Sequence, residues 1–255
     1  MSLLAIAVFL SLAMAGAWRL ATGSGLSGRA DAVWTFATGL AGLAALAAGA
    51  AEPARALIPA VYLAIWAGRL GYYLWRRSAH GDDPRYAEMK RQWGDKAPAR
   101  LFWFLQVQAV ASWPLVLAAY VAAAAPRAAP DARDALAALA FLVALAGEGI
   151  ADAQMAAFKA DPANKGGICE RGLWRWSRHP NYFFEWLGWL GFPLLAIQSN
   201  YVWGYAALLA PAWMYYLLVY VSGVPLLEKT MRASRGAAWD AYAKRTSAFW
   251  PLPPD

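Results

Sequence analysis

Seven long apolar runs divide the chain, and short polar stretches separate them. They cover residues 3–20, 32–51, 56–75, 101–125, 134–157, 182–198 and 201–221. Each run is close to the ~20 residues that an α-helix needs to cross a bilayer. The pattern therefore predicts an all-α, polytopic membrane protein. We expect seven transmembrane helices in a single domain that covers residues 1–255.

The first run has the length of a secretory signal peptide. No basic region precedes it, and similar apolar runs follow it. A signal peptide begins with a positively charged segment, so we interpret residues 3–20 as a retained span. Seven spans would place the two termini on opposite sides of the membrane.

The basic residues are concentrated in alternate connections between the apolar runs. Seven Lys or Arg lie in 76–100, five in 159–178 and five in 229–245, which is 17 of the 23 in the chain. The connections on the opposite side carry Arg55, Arg127 and Arg133. Because cytoplasmic loops are enriched in Lys and Arg, loops 76–100 and 159–180 and the tail 222–255 are predicted to be cytoplasmic. The N-terminus is then predicted to lie outside.

The composition agrees with a membrane protein and narrows the chemistry. Hydrophobic residues make up 60% of the chain and charged residues 15%, against about 25% charged in soluble domains. One cysteine excludes an internal disulfide, and with only two histidines we expect no metal site. The net charge of +7 follows from the cytoplasmic loops, so it does not indicate a nucleic-acid partner.

A polar segment between two apolar runs is the main candidate for chemistry. Residues 165–185 read KGGICERGLWRWSRHPNYFFE. Its arginines are forked donors that suit phosphate or carboxylate groups. Pro180 suits a first helical turn, which would place Asn181 and Glu185 on one face of the following helix. This pattern predicts an anion site at a helix N-terminus, with a positively charged cytoplasmic loop as the alternative interpretation.

Ionisable residues also occur within the predicted spans. Arg69 and Tyr73 share one face of the third span, and Glu148, Asp152 and Lys159 share one face of the fifth. Charged groups in a membrane are costly, so each is a candidate functional residue. The alternatives are structural ion pairs and long side chains that reach the membrane surface.

Four segments carry a resemblance to a known family. They are ADAQMAAFK (151–159), NKGG (164–167), GLWRWSRHPNYFFE (172–185) and the ending YAKRTSAFWPLPP. Together they resemble the bacterial multi-pass branch of the steroid 5-alpha-reductase family. Membrane isoprenylcysteine methyltransferases, which use S-adenosylmethionine, share a similar RHPxY element and tail, and they remain the alternative. A lipid or sterol binder or transporter without a redox cofactor is a third hypothesis.

The resemblance implies a membrane oxidoreductase that binds NADPH and reduces the C4=C5 double bond of 3-oxo-4-ene steroids or a similar enone lipid. We expect contacts with membrane lipid, an inner-membrane location if the protein is bacterial, and no obligate protein partner. The residues that match the family's cofactor-binding motifs are Asp152, Lys159, Asn164, Lys165, Arg178, His179, Asn181, Tyr182 and Glu185, with Arg232, Arg235, Tyr242, Arg245 and Thr246 in the tail.

The resemblance also implies a donor that polarises the substrate carbonyl. Tyr73 matches the family's tyrosine at this position. The Gln–Glu pair that assists it in the animal enzymes has no counterpart here. By order along the chain, Asp31 and Trp34 stand in its place, and they complete the expected catalytic set.

Overall fold

The computed structural model describes residues 2–50, 52–126 and 130–254. Arg127, one of the basic residues in the predicted external connections, lies outside these ranges. The described residues form twelve α-helices and no β-strand. The first six are α1 (Leu3–Ser24), α2 (Arg29–Gly49), α3 (Pro53–Arg77), α4 (Pro84–Trp93), α5 (Ala97–Ala111) and α6 (Trp113–Ala123). The other six are α7 (Ala132–Ala160), α8 (Pro180–Trp189), α9 (Gly191–Ala196), α10 (Leu209–Tyr216), α11 (Val224–Arg235) and α12 (Ala237–Arg245).

Within the described ranges, six helical segments, two of which join several consecutive helices, are long and apolar enough to cross a membrane. They are Leu3–Ser24, Arg29–Gly49, Pro53–Arg77, Pro84–Ala123, Ala132–Ala160 and Val202–Arg235. Large apolar side chains lie on their exposed surfaces; Leu4 and Leu12 of α1, for example, are 74% and 66% exposed. Apolar surface on this scale requires an apolar environment. The protein is therefore an integral membrane protein.

The predicted span 182–198 is helical but forms two short helices. α8 ends at Trp189, and α9 begins at Gly191. Pro193 accounts for the break, because its ring clashes with the carbonyl group four residues earlier, at Trp189, and it has no N–H to donate there. The segment 201–221 is also irregular, with a 3₁₀ helix at Val202–Leu208 and a π-helical turn at Leu217–Val221.

The chain divides into two compact units. The first consists of Met1–Asp134 and Phe192–Leu209. In its core, α2 and α3 approach closely through small residues: a Cβ atom added to Gly39 would lie 2.3 Å from the Cβ atom of Ala67. Buried apolar residues of α1, including Ile6, Leu10 and Met14, extend this core.

The second unit consists of Ala135–Gly191 and Ala210–Asp255. It contains most of α7, all of α8 and the C-terminal segment from α10 onwards. The C-terminal segment packs against the loop before α8, where the backbone N–H of Arg178 donates to the Ser247 carbonyl and that of Leu252 donates to the Trp176 carbonyl. The predicted cytoplasmic tail is therefore ordered, with two helices, α11 and α12.

Candidate binding site in the second unit

The centre of the candidate site is the approach of α7 to the start of α8. Asn181, in the first turn of α8, donates from Nδ2 to Oδ1 of Asp152 on α7 at 3.4 Å. Gly147 allows the helices to come this close, because a Cβ atom there would lie 2.3 Å from the ring of Phe184. Two segments that are distant in the sequence are thereby joined at the residues predicted to bind a ligand.

Buried carboxylates surround this contact. Asp152 and Glu185 are 8% and 6% exposed, and Glu148 on α7 is 4% exposed. Glu185 Oε1 accepts a hydrogen bond from Trp189 Nε1 at 3.1 Å. Asn181 and Glu185 are separated by one helical turn, as predicted. Such a set of acceptors, with one carboxamide, can orient an amide or hydroxyl group of a ligand.

Arg178 and His179, directly before α8, share one acidic partner. Glu228 Oε1, on α11, lies 2.8 Å from Arg178 Nε and 3.2 Å from His179 Nε2. The imidazole ring also stacks on Tyr182, with 5.4 Å between the ring centroids and 8° between the planes. Burial lowers the pKa of His179, and the neighbouring Glu228 carboxylate opposes that shift.

Arg178 is engaged within the protein. In addition to Glu228, its Nη1 donates to the carbonyl oxygens of Ala243, at 2.9 Å, and Thr246. Arg178 was predicted to bind the cofactor. The structure shows that these donors join the start of α8 to the C-terminal end of α12.

Hydrogen bonds hold the loop between α7 and α8 at several points. Asn164 Nδ2 donates to the Phe158 carbonyl at 3.0 Å, and Arg235 Nε donates to the Gly167 carbonyl at 3.1 Å. Gly166 has φ of 80°, a left-handed conformation that favours glycine. Lys159 and Lys165, both predicted cofactor ligands, are exposed. The end of α7 and the loop after it therefore present these two cations at the surface.

The predicted tail residues fall into two groups. Tyr242 and Thr246 are buried, and Tyr242 donates its hydroxyl hydrogen to the Trp174 carbonyl. Arg232 and Arg245 are exposed and pair with Asp240 and Glu170. Next to them, a cleft of about 310 Å³ is lined by Arg178, Ala243, Lys244, Arg245, Thr246, Ser247, Leu252 and Pro253. Of these tail residues, Arg245 and Thr246 line the cleft.

The predicted catalytic residues all belong to the first unit. Asp31 accepts hydrogen bonds from Tyr86 Oη at 2.7 Å and from Arg85 Nη2 at 2.6 Å. Trp34 Nε1 donates to the Gln108 carbonyl at 3.2 Å. Tyr73 is half-buried on α3, with the Arg77 guanidinium carbon 6.0 Å from its ring centroid. Asp31 thus anchors α2 to α4, and Trp34 anchors it to α5.

Sequence reasoning missed several residues that shape the candidate site. Gln154 Oε1 accepts from the Leu173 N–H at 2.9 Å, Trp174 Nε1 donates to the Ala151 carbonyl at 2.9 Å, and Glu228 binds Arg178. A signal for Glu228 was present: it and Asp240 are the two acidic residues in the otherwise basic segment 222–254. Among the described residues, no group of three or more His, Cys, Asp or Glu could hold a metal ion.

Comparison with known proteins identifies the family. A family model described as a protein of unknown function (DUF1295) matches residues 17–246. The chain belongs to this family. No curated protein and no solved structure matches the DUF1295 chain. The matched range includes every predicted site residue, from Asp31 to Thr246.

Proposed function

We propose that this DUF1295 protein is an NADPH-dependent membrane reductase. Its substrate would be a 3-oxo-4-ene steroid or a similar enone lipid, reduced at the C4=C5 double bond. The observation that carries the proposal is the contact between Asn181 and Asp152. It joins two of the segments that resemble the steroid 5-alpha-reductase family, 151–159 and 172–185, at a group of buried carboxylates.

The side chains of the second unit fit such a cofactor. Asn181 and Glu185 offer a carboxamide and a carboxylate, which complement the amide of a nicotinamide ring. Lys165, Arg171 and Arg175 are exposed cations on the loop before α8 and suit phosphate groups. The cleft of about 310 Å³ is at the lower end of the volumes of ligand sites, about 300–1,000 Å³. It has room for the phosphate-bearing part of a dinucleotide.

NADPH, when bound, supplies the hydride for the reduction. The roles of the protein are to orient the ring, neutralise the phosphates and stabilise negative charge on the substrate carbonyl oxygen. We assign the first role to Asn181 and Glu185 and the second to the exposed cations of the loop. For the third role a donor is needed at the developing oxyanion, and Tyr73 is our candidate. Asp31 and Trp34 complete the proposed catalytic set; Asp31 accepts hydrogen bonds from Arg85 and Tyr86, and Trp34 donates to the Gln108 carbonyl.

We further propose seven membrane crossings, with α8 and α9 together forming the sixth. The N-terminus would lie outside and the C-terminus in the cytoplasm. This topology places the 17 basic residues of 76–100, 159–178 and 229–245 on the cytoplasmic side. Fluorescent and periplasmic reporters fused to the C-terminus test it: only the cytoplasmic reporter should be active, and activity of the periplasmic one contradicts the topology.

The activity is tested with purified protein, NADPH and a 3-oxo-4-ene steroid, by following the loss of NADPH absorbance. We expect steroid-dependent NADPH oxidation that Glu185→Ala abolishes. Glu52→Ala is the control, because Glu52 is exposed at the start of α3. Turnover by Glu185→Ala at the parent rate contradicts the assignment of Glu185.

Mass spectrometry of small molecules that co-purify with the protein separates the proposal from its alternative. A bound dinucleotide supports the reductase. Bound S-adenosylmethionine would overturn it in favour of a methyltransferase, which shares the RHPxY element and the basic tail. Both alternatives predict a bound nucleotide-derived molecule, so its identity decides between them.

A further inference from the structure

We infer that Glu228 is a positioning residue for the candidate cofactor site, which it controls through Arg178 and His179. The inference rests on the proposed function, because it names a residue that orients the same site. Glu228 does not belong to the predicted set of site residues. It lies on α11, separated from Arg178 by 50 positions.

One carboxylate oxygen orients two adjacent side chains. Glu228 Oε1 accepts from Arg178 Nε at 2.8 Å and lies 3.2 Å from His179 Nε2. A carboxylate only accepts hydrogen bonds, so Nε2 must carry a hydrogen for this contact to be favourable. In the neutral ring, Nδ1 is then the acceptor. Glu228 thus selects the tautomer of His179 as well as its orientation.

The charged groups around His179 favour the neutral ring, in which Nδ1 carries no hydrogen. Arg178 and Glu228 carry opposite charges and face the ring, and Tyr182 stacks on it. The side chains of Arg178 and Glu228 are only 11% and 19% exposed, so water screens their attraction little. Charge-assisted hydrogen bonds of this kind are about twice as strong as neutral ones. The geometry therefore favours one fixed arrangement of the three side chains.

The segment that Glu228 orients leads directly into α8. The backbone N–H of His179 donates to Ser177 Oγ at 3.1 Å, and Ser177 Oγ donates to the Phe249 carbonyl at 3.0 Å. Residues 177–179 are thus held by the C-terminal segment and by Glu228. Asn181 follows two positions later, in the first turn of α8. Loss of Glu228 should displace Asn181 through this segment.

The first experiment measures the histidine directly and requires no cofactor. In a His80→Asn background, His179 is the sole histidine, and nitrogen-15 NMR reports its tautomer. We expect the Nε2–H form in the parent and a mixture of tautomers in Glu228→Ala. Glu170→Ala is the control, because Glu170 pairs with the exposed Arg245 in the same unit. An unchanged His179 spectrum in Glu228→Ala overturns the inference.

The second experiment measures NADPH affinity and turnover. Glu228→Ala removes the carboxylate that accepts from the charged Arg178 guanidinium. We expect this change to raise the KM for NADPH about tenfold, with a smaller effect on kcat. Glu228→Gln keeps the acceptor oxygen, so its KM should lie between those of the parent and Glu228→Ala. It also replaces Glu228→Ala if the latter does not fold. An unchanged KM in both variants overturns the positioning role.

The two experiments separate the inference from the proposed function. If the parent protein binds no NADPH, the proposed function fails, and the histidine spectrum still reports whether Glu228 orients His179. If NADPH binds and the spectrum changes while KM does not, the proposed function stands and the positioning role for the cofactor is wrong.

Discussion

Tyr242 donates its hydroxyl hydrogen to the carbonyl oxygen of Trp174, 68 positions earlier in the chain. Both residues are buried, and the indole of Trp174 donates in turn to the Ala151 carbonyl at 2.9 Å. This chain of hydrogen bonds joins α12, the loop before α8 and α7. Burial and the nearby Glu170 carboxylate raise the pKa of Tyr242, so its hydroxyl stays protonated and remains a donor at neutral pH.

Replacing this donor should destabilise the second unit. Tyr242→Phe leaves the buried Trp174 carbonyl without its partner, which costs about 1–3 kcal/mol of unfolding free energy. Thermal unfolding in detergent measures the loss. Tyr205→Phe is the matched control, because Tyr205 is 54% exposed and should tolerate the change. Equal Tm values for Tyr242→Phe and the parent would show that the hydrogen bond contributes nothing.

Two glycines on α7 provide a test of the packing between α7 and α8. A Cβ atom at Gly147 would lie 2.3 Å from Phe184, whereas one at Gly149 would meet nothing within 4 Å. Gly147→Ala is expected to lower stability by about 1–3 kcal/mol through overpacking. Gly149→Ala should leave stability unchanged or raise it by about 0.5–1 kcal/mol, because alanine favours a helix.

The same pair of variants links packing to the site. Since Phe184 and Asn181 both lie on α8, a displaced Phe184 should also weaken the contact between Asn181 and Asp152. NADPH binding should then fall in Gly147→Ala and be retained in Gly149→Ala. If the two variants unfold at the same temperature, the close approach of Gly147 to Phe184 does not contribute to stability as we expect.

The helical part of the fold could be predicted from the sequence, because long apolar runs in a membrane have few alternatives to a helix. The third span, predicted at 56–75, is the helix Pro53–Arg77. The break at Leu190 was missed, although Pro193 is visible in the sequence and its clash with Trp189 follows from local geometry. A prediction that uses apolar content alone does not detect such a break.

Contacts between distant segments could not be read from the sequence. The pair Asn181 and Glu185 needs only the helical repeat, and the structure places both on α8 as predicted. The Glu228 contact with Arg178 depends on how the tail folds back, which no local pattern encodes. Order along the chain places Asp31 in the predicted catalytic set, but order does not reveal that Arg85 and Tyr86 donate hydrogen bonds to it.

Arg85 is expected to stabilise the first unit strongly. It bridges Asp31 and Asp83, with Nη2 at 2.6 Å and 2.9 Å from their carboxylates, and its side chain is 20% exposed. Burial by itself would raise the pKa of Asp83, but the hydrogen bonds and charge of Arg85, together with the charge of Arg77, bring it below its usual value. Arg85→Met leaves the Asp31 and Asp83 carboxylates without this guanidinium and should lower the free energy of unfolding by about 2–4 kcal/mol.

A second ion pair on α4 is the control for Arg85. Arg91 pairs with Glu88 three residues earlier, and its side chain is 77% exposed. Exposed pairs of this type contribute about 0.2–1 kcal/mol, so Arg91→Met should lower the Tm only slightly. Chemical or thermal unfolding of the two variants in the same detergent provides the comparison. Similar losses in both would contradict a special role for Arg85.

The stability of the protein should depend on pH through His179. Burial lowers the pKa of His179 in the folded protein below 6.5, the usual value, while in the unfolded chain the ring is exposed. As the pH falls below about 6.5, the unfolded state therefore binds a proton that the folded state does not. The folded protein loses stability by at most about 1.4 kcal/mol per pH unit, until the pH reaches the folded pKa.

Unfolding midpoints at pH 7.5, 6.5 and 5.5 measure this dependence. His179→Gln should lose the part of the slope that lies below pH 6.5, because its side chain does not titrate. His80→Gln is the matched control and should retain that slope. Burial by itself would raise the pKa of Glu228, but the hydrogen bonds from His179 and Arg178 bring it to about 2, so this carboxylate stays charged over the range and His179 is the group whose charge changes. If His179→Gln and the parent lose stability equally between pH 6.5 and 5.5, the ring is not held neutral by burial.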